Sequence, residues 1–471
     1  MIVMKFGGTS VADGECIRGA ACLVRDWMDA HDGHPPVVVV SALGGVTNSL
    51  IEAARAAAKG NGDQCRSVRL ALENRHRQAI ECCVVDENRG EELLRQMSGL
   101  LDWLENLCRS IHTLGELTPR GLDVVSGLGE RLSARIMAAT LQELGVPAEP
   151  VEATEVIVTD DQFGNAVPLT EETTSKARKR LLPLLDEGTV PVVGGFAGAT
   201  LGGVPTTLGR GGSDYTATIL ARCLEADEVW LWTDVDGVMT SDPRIVPEAR
   251  TLSVVSYAEM AELSYFGAKV LHPKTIRPAV EAAIPVWVKN TFNPTHPGTL
   301  INGRGLPESG VRGITTIRDL TVITVEGRGM LGVPGVAGKV FSTVATQGIS
   351  VLMISQSSSE QSICFVVRSE DAEQAIVALN EAFALELMRR DIDRIWAQRD
   401  AAIVAVVGAG MRSTPGIAYR VFEALANEGI NVISIAQGSS EYNISLVVNR
   451  SDAAEAVRAI HRHFELHNVC E

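Results

Sequence analysis

An open, mainly parallel α/β sheet with helices on both faces, followed by two α+β modules of βαββαβ order, is the architecture this sequence predicts. Three observations carry it. Through residues 1–305, short β-branched runs alternate with helical patterns and end in glycine turns, the rhythm of a doubly wound sheet. Beyond that the chain repeats itself: one offset sets Pro334-Gly335-Val336-Ala337 on Pro415-Gly416-Ile417-Ala418, Gly348-Ile349 on Gly429-Ile430, Gln356 on Gln437 and Ser358-Ser359-Glu360 on Ser439-Ser440-Glu441. An ungapped register over a whole supersecondary unit signals duplication. Finally, 471 residues with 45% apolar and 21% charged side chains give length for about three globular domains.

The first element is Ile2–Phe6, a buried strand that runs into Gly7-Gly8-Thr9-Ser10. Lys5 at its end is costly to bury unless an anion meets it, so it is expected to face a ligand. A helix follows to about Ala30, and Pro35-Pro36 then introduces Val37–Ser41, a run typical of a central parallel strand. That strand ends in a second glycine turn, Ser41–Thr47, at the sheet edge where ligands bind. Residues 50–145 are helical in pattern, with amphipathic segments around 65–83 and 91–114 and a third opening at Thr118-Pro119. The third carries Glu130 beside Arg131, which in isolation reads as a solvated surface pair.

Beyond Pro147 the alternation returns with the strand Val190–Val193, the turn Gly194-Gly195-Phe196 and a hairpin over Ala197–Leu208. It leads into Thr206–Asp214 (TTLGRGGSD), where glycines flank Arg210 and a helix over Tyr215–Leu224 begins. Backbone N–H groups, a fixed positive charge and an anionic side chain within one turn suit anion handling. The plainer reading is a glycine-rich connection capped by Ser213 or Asp214. The strand Glu228–Thr233 runs into Asp234-Val235-Asp236-Gly237 and Ser241-Asp242-Pro243-Arg244. A helix over Ser256–Phe266, the segment Gly267–Pro273, the strand Val286–Asn290 and a Pro/Gly-rich exit over Asn293–Gly305 complete this part.

Several functions are excluded. A net charge of −16 argues against nucleic-acid or anionic-membrane partners, which need a clustered basic face. Nine cysteines without a CxxC fit neither a disulfide framework nor a zinc site, so a reducing cytoplasm is expected. Met1–Phe6 enters a strand directly, without the pattern of a signal peptide. The apolar run Ala401–Ala409 is far below the roughly 20 residues of a membrane helix. Gly408-Ala409-Gly410 hints at a dinucleotide fingerprint, but position 413 is Ser, and Gly327 and Gly329 occupy the matching places in the first repeat. These glycines belong to the repeated turn, and no nicotinamide site is expected.

Gathered, residues 1–305 offer glycine turns at 7–8, 44–45, 194–195 and 209–212, with Lys5, Arg210, Arg244 and Lys269 as positives. Asp214, Asp234, Asp236 and Asp242 are candidate metal or ribose ligands. The inventory suits phosphoryl transfer, in which catalysis is positioning plus charge neutralisation. No Walker A pattern is present.

Lys5–Ser10 (KFGGTS), Val40–Thr47, Gly129-Glu130, Gly209–Asp214 (GRGGSD), Thr233–Gly237 (TDVDG) and Phe266–Pro273 (FGAKVLHP), in this order, resemble the aspartate kinases of the amino-acid kinase superfamily. The repeats resemble tandem ACT regulatory domains, most closely of the threonine-sensitive type. The resemblance implies an amino-acid kinase domain at 1–305 and ACT domains at 315–395 and 396–471. It implies transfer of a phosphoryl group from ATP, with Mg²⁺, to the β-carboxylate of L-aspartate, the first step toward lysine, threonine and methionine. A β-carboxylate with a pKa of about 3.9 is already ionised, so no general base is needed.

By the same resemblance Lys5, Asp214 and Lys269 are catalytic. Arg210 meets the α-carboxylate and Glu130 the α-ammonium, with Ser41, Thr47, Phe196 and Ser213 lining the pocket. Lys5, Gly7, Gly8, Ser10, Thr233, Asp234, Met239, Arg244 and Lys269 fall to the nucleotide, Met239 standing where relatives commonly carry Tyr. Ile354, Gln356, Asn431, Ile435 and Gln437 fall to an effector, threonine and/or lysine. No side chain is assigned as a dedicated metal ligand. A homodimer or higher homo-oligomer through the ACT modules is expected, and because the chain stops at Glu471 no homoserine dehydrogenase activity. A related kinase for another carboxylate, or a silent amino-acid sensor, are the alternatives; intact Lys5, Arg210, Asp214 and Lys269 weigh against the second.

Overall fold

Ile2–Phe6 (β1) is buried along its whole length, as a strand covered on both faces must be. The computed structural model describes residues 1–267, 271–305, 310–330, 332–356, 361–411, 414–437 and 442–468. After β1 come α1 (Gly14–Ala30), β2 (Val37–Val40), α2 (Val46–Ala58), α3 (Gly62–Cys83), α4 (Glu87–Leu114), α5 (Pro119–Ser126) and α6 (Leu128–Glu143). Next are β3 (Ala148–Val151), α7 (Ala153–Val156), β4 (Val158–Thr159), α8 (Thr170–Asp186), β5 (Val190–Gly194), β6 (Ala197–Thr200), β7 (Pro205–Thr207) and α9 (Gly212–Leu224). Then follow β8 (Glu228–Thr233), β9 (Val254–Ser256), α10 (Tyr257–Tyr265), α11 (Pro273–Glu281), β10 (Val286–Asn290) and β11 (Thr299–Asn302).

The main sheet runs β3-β5-β2-β1-β8-β10-β11-β9, parallel except where β10 meets β11. Because β5, β2, β1 and β8 are parallel neighbours, the turns that follow them emerge at one edge, the usual ligand edge of such sheets. A second small sheet, β4-β6-β7, carries the approach to residue 209. The helical stretch is divided by local chemistry. Thr118 caps Gly121 N at 3.1 Å with Pro119 in the first turn, and Gly127 separates α5 from α6. The third helix expected from the sequence is therefore two.

The cysteine expectation needs correcting for one pair. Cys65 on α3 and Cys108 on α4 form a disulfide, Cα atoms 6.6 Å apart across 43 residues. No motif announces it, because the pairing is made by two helices packing side by side. Among the described residues six cysteines remain free.

The chain divides into two units. The first holds Met1–Val238, Ser253–Tyr257 and Val270–Gly305; the second holds Met239–Leu252, Ala258–Lys269 and Leu306–Glu471. Elements past residue 306 are β12 (Gly313–Glu326), α12 (Val336–Thr346), β13 (Met353–Gln356), β14 (Ser362–Arg368), α13 (Ala372–Ala382) and α14 (Ala384–Arg389). They continue with β15 (Arg394–Val407), α15 (Ile417–Asn427), β16 (Ser434–Ala436), β17 (Asn443–Asn449) and α16 (Ala453–His463). One antiparallel sheet, β13-β14-β12-β15-β17-β16, joins both repeats.

The two repeats share their central strands. Register shifts between Ile317 and Val322 break the β12–β15 ladder, and Asp319 and Asp400 turn to positive φ there. Past the break, Ile323 and Val325 pack with Val340 and Phe365 in the first repeat's core. Before it, Ile314 packs with Val404, Val421 and Val457 in the second's, together with Val246 and Ala249. The first repeat is thus nested within the second. No described helix is long and apolar enough to cross a membrane.

Candidate active site

At the end of β1, Lys5 Nζ lies 2.5 Å from Asp214 Oδ1, their side chains 11% and 16% exposed. Desolvating two charges is expensive, so a pair this buried marks a place where charge is used. Asp214 can reach Lys5 because it does not cap its own helix. The residue before α9 is Gly211, φ +71°, where a Cβ would come 2.8 Å from Thr275 Cγ2. Neither Ser213 nor Asp214 caps α9, so the plain-cap reading of the loop does not hold. Above the ammonium, a Cβ on Gly7 would meet Lys5 Nζ at 3.4 Å. Ser10 is fully buried; its hydroxyl donates to Trp232 O at 3.2 Å and lies 2.7 Å from Thr291 Oγ1, tying this turn to the end of β8.

Glu130 enters the site on the first turn of α6 because the backbone around it packs closely. A Cβ on Gly129 would meet Ala42 Cβ at 2.6 Å, and one on Gly194 would meet Glu130 O at 2.8 Å. Glu130 is 4% exposed, and its Oε2 has no hydrogen-bond partner among the described residues. Burial pushes its carboxyl up to about 7, against the opposing hydrogen bond from the Ala42 backbone. The surface-pair reading is therefore wrong: Arg131 pairs with Glu152 at 2.8 Å instead, and Glu130 is left buried and free to accept a cation.

The rest of this pocket is backbone-built. Ser133 Oγ donates to Ser41 O at 2.7 Å, Phe196 sits at φ +70° with its N–H donating to Thr216 Oγ1 at 3.1 Å, and a Cβ on Gly195 would meet Ser213 Cα at 2.9 Å. Ser41 and Thr47 are half-buried at the β2–α2 turn. Arg210 is exposed. Its charge lies near enough to His272 to add to the burial that lowers that imidazole's pKa.

Asp123, on α5, is a functional residue that the sequence does not single out. Buried, it accepts from Thr207 N at 2.9 Å, Thr207 Oγ1 at 2.7 Å and Gly164 N at 2.8 Å, so it holds the end of β7 where the Arg210 loop begins. A lone Asp in an amphipathic helix gives no sign of a partner 84 residues away.

The residues given to the nucleotide divide between the two units. Thr233, at the end of β8, donates to Asp234 Oδ1 at 3.1 Å. Asp236 accepts from Asn290 and Asn293 at 2.8 and 3.0 Å, so it braces a turn. Met239 and Arg244 belong to the second unit: Met239 packs against the second repeat's core, and Arg244 is held by Asp242 at 2.6 Å. Lys269 lies outside the described residues.

Among the described residues no group of three or more His, Cys, Asp or Glu could hold a metal ion. In the repeats, Ile354 and Ile435 are exposed on the outer strands β13 and β16, while Asn431 and Gln437 are exposed in the second repeat. Gln356 lines a cavity of about 300 Å³ with Met330, Pro334, Val336 and Ile363. The Ser357–Glu360 and Gly438–Glu441 stretches lie outside the described residues.

Fold and motif order match two families. The amino acid kinase family model covers residues 1–290, and the ACT domain model covers 323–383 and 404–464. The chain is 38% identical over 98% of its length to a chloroplastic bifunctional aspartokinase/homoserine dehydrogenase 1 of Arabidopsis thaliana, of which it covers 51%. It thus spans about half the length of the bifunctional relatives it matches. With chloroplastic aspartokinase 2 of the same plant it shares 35% identity over 98% of this chain and 84% of that one. The structure of E. coli aspartokinase III in complex with aspartate and ADP superposes with a TM-score of 0.82 at 32% identity, covering 99% of this chain and 100% of that one. The chain belongs to the amino acid kinase family, in its ACT-bearing aspartokinase branch.

Proposed function

We propose that the protein transfers the γ-phosphoryl group of MgATP to the β-carboxylate of L-aspartate, giving 4-phospho-L-aspartate and ADP at the head of lysine, threonine and methionine synthesis. The observation that carries this is Glu130, a buried carboxylate with an oxygen unpartnered among the described residues, on the sheet edge that also holds the Lys5–Asp214 pair. An amino acid's ammonium would satisfy it. Arg210 then takes the α-carboxylate, a task that suits a planar two-pronged donor, and Ser41, Thr47, Phe196 and Ser213 close the pocket. The E. coli relative bound to aspartate and ADP supports this choice of substrates.

With the amino acid so held, its β-carboxylate oxygen attacks the γ-phosphorus while the bond to the β–γ bridging oxygen breaks, and ADP leaves with that electron pair. No proton moves. Two anions must be brought together, so the work falls to Lys5, to Lys269 and to the Gly8 N–H, the Gly7 N–H being given to Trp232 O, with Asp214 orienting Lys5. Mg²⁺, when bound, would offset charge on the phosphates. Thr233, Asp234, Ser10, Met239 and Arg244 complete the nucleotide assignment, Arg244 having first to share its Asp242 partner.

The effector belongs in the Gln356 cavity of the first repeat. It lies at the start of α12, whose free N–H groups suit a carboxylate. With Gln356 as its polar side chain among the described lining residues the cavity suits threonine, although an E. coli relative is known with lysine and aspartate. Ile435, Asn431 and Gln437 are the matching candidates in the second repeat. The exposed Ile354 and Ile435 on outer strands suit a homodimer through the ACT sheets. Six free cysteines among the described residues suit the cytoplasm, against which the Cys65–Cys108 disulfide weighs. Kinase and ACT models account for most of these residues, so no dehydrogenase activity is assigned to them.

The test is aspartate-dependent ADP release from MgATP with hydroxylamine trapping of the acyl phosphate, run with threonine and with lysine. Hydroxamate that falls with threonine alone is expected. Turnover only with another amino acid would move the substrate, and none with any would leave a silent sensor.

A further inference from the structure

The loop that carries Arg210 is gripped from two sides. On one, a Cβ on Gly209 would meet Asn165 Oδ1 at 3.0 Å and Gly164 O at 3.1 Å. On the other, a Cβ on Gly211 would meet Thr275 Cγ2 at 2.8 Å and His272 Cβ at 3.7 Å, at the start of α11. Lys274, in that same first turn, closes the ring: its Nζ donates to Asn165 Oδ1 at 2.6 Å and lies 5.4 Å from the centroid of the Tyr215 ring. The loop therefore passes through a closed clasp whose two jaws are fastened by one hydrogen bond.

Arg210 itself has no hydrogen bond or ion pair among the described residues. Nothing on its own side chain orients it, so its direction is inherited from the backbone of the clasped loop. We propose that the Lys274–Asn165 hydrogen bond positions Arg210 and thereby sets the affinity for the substrate's α-carboxylate, an inference that rests on the reading of Arg210 given above. Lys274 is a positioning residue in this scheme, one link removed from substrate. A guanidinium that must meet both oxygens of a carboxylate loses grip when its backbone shifts, whereas the reacting phosphoryl group, handled by Lys5 and Asp214, does not depend on it.

The experiment is steady-state kinetics on the full chain with Lys274→Ala, Asn165→Ala, their combination, Lys274→Arg and Arg210→Ala. Lys274→Ala and Asn165→Ala are each expected to raise KM for aspartate about fivefold, with kcat and KM for ATP within about twofold. The double variant is expected to be no worse than either single one, because both remove the same bond, and Lys274→Arg is expected to restore most of the affinity by donating to Asn165. An unchanged KM in both single variants, additive losses, or KM for ATP and kcat moving together with KM for aspartate would overturn the clasp. Arg210→Ala separates the two levels. If it raises KM strongly while Lys274→Ala does not, the clasp alone fails; if it leaves KM unmoved, the reading of Arg210 fails and takes the clasp with it.

Discussion

Glycine precedes a helix in both units: Gly211 before α9, Gly335 before α12 and Gly416 before α15, with φ of 71°, 94° and 88°. In the first unit that glycine is hemmed in, and so are Gly194, Gly195 and Gly212, each of whose Cβ would come within 3.0 Å of a neighbour. In the second unit a Cβ on Gly335 or Gly416 would meet nothing within 4 Å. The same turn thus answers two demands. Around the kinase site, glycine lets backbone approach backbone, which brings Glu130, Ser213 and Lys5 to one edge. In the repeats it supplies only a left-handed residue before a helix. Close approach at the site tolerates no added atom, while these two helix starts leave room, including the cavity beside Gln356; elsewhere in the repeats Gly327, Gly329 and Gly408 are themselves crowded.

The sharpest way to test that contrast is to remove charge from the crowded site. Lys5→Ala or Asp214→Asn is expected to lower kcat at least about 10²-fold while circular dichroism and threonine binding by calorimetry stay as in the parent. Loss of threonine binding as well would show that the two regions are not independent in this sense.

Next in size is Glu130→Gln, expected to raise KM for aspartate about tenfold or more, the loss of a charge-assisted bond. Its pH behaviour has a definite sign. The folded carboxyl, pushed to about 7, holds its proton more tightly than the ordinary value of 4.5 allows. The free protein therefore loses stability from this group as pH rises from about 4.5 to 7, on the order of 3 kcal/mol once above that window. Glu130→Gln is expected to be the more stable protein at pH 8 by denaturant titration, and aspartate binding to the parent is expected to release a proton near pH 7, read by calorimetry in two buffers. A variant less stable than the parent at pH 8 would contradict the burial argument.

The glycines themselves come next. Gly194→Ala drives a Cβ against the Glu130 carbonyl and is expected to cost about 1–3 kcal/mol and to raise KM for aspartate. Gly335→Ala meets no neighbour and is expected to cost about 1 kcal/mol through its φ alone, leaving aspartate kinetics untouched; thermal melts and KM for both variants decide it. Smallest is the pair Gln356→Ala and Gln437→Ala. The first is expected to raise the threonine concentration for half-inhibition severalfold and the second less, and equal shifts would place effector contacts in both repeats.

Much of this is legible in the sequence alone. β1, β8 and β10 fall on their expected ranges within a residue because β-branched and apolar runs bounded by glycine turns have few other ways to be buried. Lys5 stood out as a lysine in an apolar strand, and it does meet a carboxylate. What escaped is what depends on distant partners. Glu130 is a site residue by resemblance, but nothing beside it in the chain shows that Arg131 is not its partner; Glu152, 21 residues on, takes that arginine. β11 is hidden in a Pro/Gly-rich exit, since a strand of four residues carries little pattern. Asp123 and the Cys65–Cys108 bridge have no local signal at all.

By itself, then, the sequence determined the alternation of strands and helices, the duplication, the order of the motifs and the chemistry they can perform, because these rest on local propensity and on residue type. Only the tertiary structure decided which oxygen is left unpartnered, which cysteines meet, how the first repeat nests in the second and that Met239–Leu252 and Ala258–Lys269 join the second unit. Burial and pairing are properties of surfaces brought together from distant parts of the chain, and no window along the sequence contains both partners.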